Sequence, residues 1–336
     1  MVMNRYLILL LWLVGCSTTE PHADFNSDLY SGVPVASLAS GEPPKNESEA
    51  ITRGDRALSN QQFDLALYEY LRSLSFPDAE YKEHTFYTVG QIHLARENYV
   101  LAEKSFQASV GEDPNHIGSL QALGTLYTKR GERQQGQQYY LNALNADQQR
   151  LGRDVKTRLS PQSLSTYLVD HQSPTEAYAG LGILYDLEQQ HAFAQRLFDK
   201  ALKINPRDVK ALIGLGYSYY MSGELNKAVY FTQAALKQSP NQEQAINNLA
   251  LIAIAQDQPQ QALSIFRRHM SEEKALNNVG YFLILNGKPD EAIPYLQRAI
   301  DTKPSYYELA NKNLVRALSL IRKNGDTSRA VITTPK

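Results

Sequence analysis

The chain has 336 residues, of which 43% are hydrophobic, and its formal net charge at pH 7 is −1. A chain of this length and apolar content can bury a substantial core, which excludes a fully disordered protein. Its charge lacks the basic surplus that binding to a nucleic-acid backbone requires, so we expect no nucleic-acid partner. The single cysteine excludes a disulfide framework and any zinc site built on several thiolates.

The first sixteen residues have the pattern of an export signal. Arg5 precedes an apolar run over residues 6–14, which is too short to cross roughly 30 Å of hydrocarbon. The run ends in Leu-Val-Gly-Cys, which resembles a bacterial lipobox. This resemblance implies that residues 1–15 are a lipoprotein signal peptide, that Cys16 carries lipid and, with Ser17 next to it, that the protein goes to the outer membrane. The alternative is a cytoplasmic protein in which Cys16 has no special role.

Residues 16–46 predict a tether between this cysteine and the folded part of the chain. They are rich in Ser, Pro and Gly and show no apolar period. Such a segment has a root-mean-square reach of about 30 Å on the flexible-coil estimate. Several acyl chains on Cys16 would anchor the protein firmly, and the folded part would stand away from the bilayer.

The rest of the chain is organised by an internal repeat. A small residue preceded by Leu or Val recurs at spacings of 34, 58, 34, 34 and 30, at Gly90, Gly124, Gly182, Gly216, Ala250 and Gly280. Twelve positions later there is always a second small residue: Ala102, Gly136, Ala194, Ala228, Ala262 and Ala292. Four positions further on, the residues are mostly bulky: Phe106, Tyr140, Phe198, Thr232, Phe266 and Leu296. Recurrence in step at this period indicates a repeat architecture.

This pattern resembles the tetratricopeptide repeat, in which small residues let two antiparallel helices approach and a bulky residue fills the gap between repeats. The resemblance implies an all-α fold, a right-handed superhelical solenoid of about seven repeats. Repeats one to three are expected over residues 47–150 and repeats four to seven over 175–306. A capping helix over 307–325 is expected to cover the last repeat, and a disordered tail to occupy 326–336.

The repeat is interrupted twice. The spacing of 58 exceeds the usual 34, so residues 151–174 are an insertion after the third repeat, with Ser160-Pro161 as the start of a short helix. Two interpretations of the insertion remain open: a docking element or hinge, or an extended helix with a packed loop. The spacing of 30 predicts that the second helix of the sixth repeat is about one turn short.

The family resemblance also predicts a binding face. In that family one side of the first helix of each repeat lines the concave surface, and in the C-terminal half of this chain that side is apolar and aromatic. The predicted partner-binding residues are Ile213, Tyr217, Tyr220, Met221, Asn247, Leu251, Ile254, Asn277, Tyr281, Ile284 and Leu285. The competing interpretation is that the capping helix fills this groove, or that the groove is narrower than the family average, so that part of the set belongs to the core.

No sequence pattern for catalysis, nucleotide binding or metal binding is found. The chain lacks a Gly-x-x-x-x-Gly-Lys-Ser/Thr loop, a His-Glu-x-x-His pair and a Gly-x-Ser-x-Gly turn, and its seven histidines fall at different phases of the repeat. We therefore predict no catalytic residue, no cofactor and no metal, and a protein that is not an enzyme. A hydrolase would need a nucleophile and a base in one cleft.

The end of the array carries a narrower resemblance. Residues 275–281, Ala-Leu-Asn-Asn-Val-Gly-Tyr, and residues 303–314, together with the lipobox, resemble the TadD family of tight-adherence (Flp) pilus assembly lipoproteins. This resemblance implies a periplasm-facing scaffold in the outer membrane, a pilotin-like factor whose partner is a secretin or another pilus component. The alternatives are an adaptor that recruits peptidoglycan hydrolases or proteases, and an assembly factor for another envelope complex.

Overall fold

The computed structural model describes residues 42–303 and 305–332, with side chains described as far as residue 323. The predicted signal peptide, Cys16 and most of the predicted tether lie outside these residues. The described chain divides into two compact units, an N-terminal unit up to Leu184 and a C-terminal unit from Tyr185.

The described residues form sixteen α-helices, and no strand is found among them. In chain order the helices are α1 Glu47–Ser59, α2 Phe63–Ser73, α3 Lys82–Ala95, α4 Tyr99–Glu112, α5 Ile117–Lys129, α6 Arg133–Arg150, α7 Pro161–Thr166, α8 Thr175–Leu187, α9 His191–Ile204, α10 Val209–Met221, α11 Leu225–Gln238, α12 Glu243–Ala255, α13 Pro259–Arg267, α14 Glu272–Leu285, α15 Pro289–Thr302 and α16 Glu308–Ile332. Short turns join α1–α6 into three hairpins and α10–α15 into three more, and a similar turn links α8 to α9. Helix α7 lies in the insertion and α16 follows the last hairpin. The predicted all-α fold of stacked helical hairpins is confirmed.

The turns inside the hairpins are as periodic as the helices. Each has one residue with a positive φ, between 59° and 83°: Gln61, Glu97, Gly131, Gln189, Gly223, Asp257 and Gly287. Glycine adopts this left-handed conformation without steric cost, whereas the other residues accept a cost of about 1 kcal/mol. The short turn that closes each hairpin is therefore maintained even where the sequence lacks the favoured residue.

Small residues allow close packing within the hairpins, as the repeat pattern predicts. In the N-terminal unit the Tyr140 ring is 1% exposed and lies between Gly124 and Gly180. A Cβ atom on either glycine would lie well inside van der Waals contact with this ring. The recurring pairs of a small and a bulky residue therefore mark places where a larger side chain has no room.

The sixth and seventh repeats show one confirmed prediction and one wrong one. Helix α13 has 9 residues where α11 and α15 have 14, so the second helix of the sixth repeat is short, as its spacing predicts. The capping helix α16 begins at Glu308 but does not stop at Gly325, and its backbone is helical to Ile332. A glycine inside a helix costs only about 1 kcal/mol, and no proline follows in 326–332 to end the helix. The expected start of a disordered tail at residue 326 is thus wrong, and residues 333–336 lie outside the described chain.

The insertion folds back onto α6, which at 18 residues is longer than the 14-residue α4. The Asn145 amide binds both backbone groups of Lys156, donating to its carbonyl at 2.9 Å and accepting from its N–H at 3.2 Å. Three residues further along α6, the Gln148 amide does the same with Leu168, at 2.9 and 3.0 Å. The insertion is therefore an extended helix with a packed loop, and a role in docking stays a prediction.

His93 in α3 gives the N-terminal unit a specific response to pH. Its side chain is 1% exposed, and burial, with a smaller contribution from Arg96, lowers its pKa from the ordinary 6.5 to about 4. Between pH 6.5 and 4, His93 is protonated in the unfolded chain but stays neutral in the folded chain. The free energy of unfolding therefore falls as the pH is lowered through this range. We expect the urea midpoint of unfolding to fall more steeply with decreasing pH in the wild type than in His93→Tyr. Tyrosine is chosen because it occupies the equivalent position in three other repeats. Equal slopes would contradict this assignment.

Candidate functional site

All eleven predicted partner-binding residues lie on α10, α12 and α14, the first helices of three successive hairpins in the C-terminal unit. Eight of them belong to one hydrophobic cluster, which runs from α10 to α16: Tyr217, Tyr220, Met221, Leu251, Ile254, Tyr281, Ile284 and Leu285. The structure therefore brings the predicted set together, as the repeat spacing requires. The degree of exposure decides which members can touch a partner.

Seven of the eleven are buried, with at most 5% of the side chain exposed: Ile213, Tyr217, Tyr220, Leu251, Ile254, Asn277 and Ile284. First helices of successive repeats lie side by side, so residues on either flank of the inner stripe turn towards the neighbouring helix. These seven pack between helices and offer almost no surface to a ligand. The prediction that they contact a partner directly is corrected accordingly, and the competing core interpretation applies to them.

The capping helix covers part of α14. The Asn313 Nδ2 group of α16 donates a hydrogen bond of 2.9 Å to Asn277 Oδ1, and both residues are buried. One turn further along, the Arg316 guanidinium lies over the Tyr281 ring, 6.0 Å from its centroid. Sequence reasoning missed Arg316 because α16 lies beyond the repeat and its register could not be read from the period.

The remaining four predicted residues, Met221, Asn247, Tyr281 and Leu285, are half-buried and form the accessible part of the site. Met221 and Leu285 occupy equivalent places at the ends of α10 and α14, with the half-buried Ala255 at the same place in α12. We call these three residues the apolar row. On their helices, Tyr281 lies about one turn and Asn247 about two turns before this row.

A second set of equivalent residues lies near the starts of the same helices and is polar. Lys210 and Gln244 are half-buried and Lys274 is exposed. The accessible surface thus has an apolar row at one side, polar residues at the other, and an amide and a phenol between them. Such a surface can hydrogen-bond the backbone of an extended peptide while it takes up apolar side chains.

A serine, a histidine and an aspartate also meet in the C-terminal unit. The Asp186 carboxylate is 4% exposed and accepts a 2.9 Å hydrogen bond from Ser218 Oγ, and His191 Nδ1 lies 2.6 Å from the same oxygen. Burial raises the pKa of Asp186, and the bonds from His191 and Ser218 oppose that rise. Ser218 is fully buried and contacts the backbone oxygen of His191 rather than its ring. This arrangement does not activate the hydroxyl as a nucleophile and is a buried polar network instead.

Two further features of the described residues bear on other functions. No group of three or more His, Cys, Asp and Glu side chains converges there in a way that could hold a metal ion. Within the same part of the chain, none of the helices combines the length and the apolar content needed to cross a bilayer.

Two segments of the chain, residues 197–230 and 273–306, match the tetratricopeptide repeat. A curated relative, tetratricopeptide repeat protein 8 of Caenorhabditis elegans, is 33% identical over 83 residues. The aligned part spans 25% of this chain and only 16% of the relative, so the two proteins share a short stretch of repeats.

Solved structures extend the likeness over most of the chain. A tetratricopeptide repeat protein from Parabacteroides merdae aligns with a TM-score of 0.53 and 16% identity, covering 81% of this chain and 98% of that one. PilF from Pseudomonas aeruginosa aligns with a TM-score of 0.48 and 14% identity, covering 70% and 97%. At 16% identity the likeness to the Parabacteroides merdae protein concerns the fold alone. The two matched segments are thus similar to the tetratricopeptide repeat, and the chain shares the fold of the Parabacteroides merdae repeat protein.

Proposed function

We propose that the protein is a scaffold anchored in the outer membrane and facing the periplasm, which acts as a pilotin-like assembly factor for a tight-adherence (Flp) pilus system. Arrays of tetratricopeptide repeats serve protein–protein interaction through their extended surfaces. The observation that carries the proposal is the accessible surface formed by the apolar row with Asn247 and Tyr281. Its partner would be an extended protein segment with apolar side chains.

The lipid anchor rests on the lipobox that ends in Cys16. Acyl chains contribute about 0.8 kcal/mol for each buried methylene, so several chains on one cysteine hold a protein at a membrane. Labelling cells with radioactive palmitate tests this part directly. We expect label on the wild type and none on Cys16→Ser, and an unlabelled wild type would contradict the anchor.

The pilus assignment rests on the two segments that resemble the TadD family, and the structure separates their residues by role. Asn277 and Asn313 bond each other in the interior, so these two support the packing of α14 against α16. Tyr281 lies on the accessible surface, beside Arg316. Tyr281 therefore belongs both to the resemblance and to the surface proposed to bind the partner.

Affinity capture from detergent-solubilised membranes tests the function. The wild type is expected to retain a secretin or another pilus component. Tyr281→Ala should bind it about thirtyfold more weakly, since tyrosines at the centre of interfaces often contribute about 2 kcal/mol. Tyr230→Ala is the matched control, because Tyr230 is 67% exposed on α11, a second helix outside the predicted face. Capture should be the same for this variant as for the wild type.

Two outcomes would count against the proposal. Retention of peptidoglycan hydrolases or proteases instead of pilus components would favour an adaptor for those enzymes. Equal loss of capture and of thermal stability in Tyr281→Ala would show that this ring serves packing, as Tyr217 does at 2% exposure.

A further inference from the structure

The insertion presents an exposed basic loop over residues 153–158, Arg-Asp-Val-Lys-Thr-Arg. Every residue of this loop is exposed, and Val155 is 46% exposed. The side chains of Arg153, Lys156 and Arg158 form no ion pair and no hydrogen bond within the part of the chain that the structure describes. Three unpaired cations and one apolar side chain are thus exposed to water within one six-residue loop.

The loop is held in place rather than loosely attached. The Asn145 amide binds both backbone groups of Lys156, in the middle of the loop, and the Tyr167 hydroxyl donates to the same amide oxygen at 3.0 Å. Gln148 holds Leu168, which is 43% exposed, on the same side of α6, because residues three apart share a helix face. A surface that is ordered in advance loses little entropy when it binds.

The positive charge of the loop contrasts with the unit that carries it. Residues 42–184 contain 14 Lys and Arg against 18 Asp and Glu, whereas the loop has three cations and one acid. The side chain of Arg150, at the start of the insertion, is bound to Asp147 and Asp170, so it neutralises acids of the same unit. The three loop cations, by contrast, are exposed and unpaired, so they are available to an anionic surface outside the protein.

The loop lies at the same edge of the N-terminal unit as the point where the chain arrives from the predicted tether. The Glu47 carboxylate, at the start of α1, accepts from the N–H groups of Glu80 and Tyr81 just before α3, at 2.8 and 3.0 Å. Ser109, near the end of α4, donates to the backbone oxygen of Glu83 at 2.7 Å. Starts of first helices and ends of second helices therefore share one edge, which we call the proximal edge, and the end of α6 belongs to it.

We propose that this loop is a second membrane contact, in which Arg153, Lys156 and Arg158 bind the phosphate groups of anionic phospholipids and Val155 enters the interface. The proposal rests on the lipid anchor of the proposed function, since an anchor on a tether that leaves the proximal edge brings this edge to the bilayer. Each Lys or Arg near an anionic membrane strengthens binding about fivefold, so three together give about a hundredfold. The tether adds a high effective concentration of lipid.

A fluorophore at residue 155 of the full lipid-anchored chain tests the proposal. Cys16 is the only cysteine, so Val155→Cys adds the only free thiol once Cys16 carries lipid. In vesicles of 30% phosphatidylglycerol and 70% phosphatidylcholine we expect a blue shift and quenching by a lipid-borne quencher. Both signals should disappear in pure phosphatidylcholine and at high salt. In Arg153→Gln/Lys156→Gln/Arg158→Gln, the ratio of membrane-bound to free loop should drop about a hundredfold.

Matched controls come from the opposite edge of the same unit. Val100 is 67% exposed at the start of α4, so a fluorophore on Val100→Cys should give no shift in any vesicle. Lys129→Gln/Arg133→Gln removes two exposed cations beside the turn between α5 and α6 and should leave the signal at residue 155 unchanged. An equal response to both sets of charge changes would overturn a specific role for the loop.

The outcomes separate the loop from the anchor. A free thiol on the wild-type protein would show that Cys16 carries no lipid, and the loop is then measured with vesicles added to the Cys16→Ser/Val155→Cys chain. No response to phosphatidylglycerol at residue 155 overturns the proposal in either setting. A response that needs added envelope proteins and no anionic lipid would assign the loop to an acidic protein surface instead.

Discussion

Gly216→Leu is expected to lower the free energy of unfolding by about 3 kcal/mol, at the upper end of the usual cost of overpacking. A Cβ atom at residue 216 would lie 2.5 Å from Thr232 Oγ1, 3.1 Å from the Thr232 backbone nitrogen and 3.3 Å from the Ala228 carbonyl oxygen. Two of these three atoms belong to the backbone of α11, so the hairpin cannot relieve the contact by turning one side chain. Urea unfolding followed by circular dichroism measures the loss.

The matched control compares the same substitution, glycine to alanine, at Gly111 and at Gly216. Gly111 in α4 is exposed, and a Cβ atom there would meet nothing within 4 Å. Gly111→Ala should therefore stabilise the protein by up to about 1 kcal/mol through helix propensity, whereas Gly216→Ala should destabilise it. Changes of the same sign at both positions would contradict the account of close helix packing.

Arg150→Ala is expected to destabilise the protein by about 2 kcal/mol. The Asp147 carboxylate is fully buried, and Arg150 Nε and Nη2 donate to it at 3.0 and 2.6 Å. Removing the arginine leaves this buried charge without its partner, which usually costs 3–5 kcal/mol, and less here because a third of the arginine surface is in water. The same guanidinium holds the pKa of Asp170 well below its ordinary value, so the variant also releases the insertion.

Two further variants show whether charge is the cause. Asp147→Asn in the Arg150→Ala background removes the unpaired charge and should recover most of the lost stability. Arg153→Ala removes an exposed arginine without a partner and should change stability by less than about 0.5 kcal/mol. If Arg150→Ala were as mild as Arg153→Ala, the ion pairs of Arg150 would not hold the insertion.

The helical hairpins were predictable because close packing restricts the sequence at fixed intervals. Gly124 faces the Tyr140 ring and Gly216 faces Thr232, and a larger residue at either glycine would push two helices apart. Such restrictions recur with the repeat and are visible without a structure. The left-handed turn of each hairpin restricts the sequence less than close packing does. Gln61 and Asp257 adopt the positive φ for which other hairpins use glycine.

The candidate site could be predicted only as a stripe of each helix. Helical period places Tyr217, Leu251 and Asn277 on the inner side, but it does not give the distance to the neighbouring helix, and that distance decides burial. Residues at the ends of the first helices, such as Met221 and Leu285, keep part of their surface because the neighbouring helices also end there.

Contacts that involve the non-repeating segments had no sequence signal at all. Asn145 and Gln148 are ordinary polar residues of a helix, and only the path of the insertion gives them backbone groups to bind. Asn313 meets Asn277 because α16 follows the last hairpin in one particular register. A single sequence reveals a restriction only where the restriction recurs. Each of these contacts occurs once, so the sequence did not predict it.

Site-specific photo-crosslinking in living cells tests most directly whether the accessible surface of α10, α12 and α14 binds another protein. A photoreactive amino acid replaces Leu285, in the apolar row, or Tyr230, which is 67% exposed on α11. We expect one discrete adduct with an envelope protein from residue 285 and none from residue 230. No adduct from residue 285, or the same adducts from both residues, would contradict a binding role for this surface.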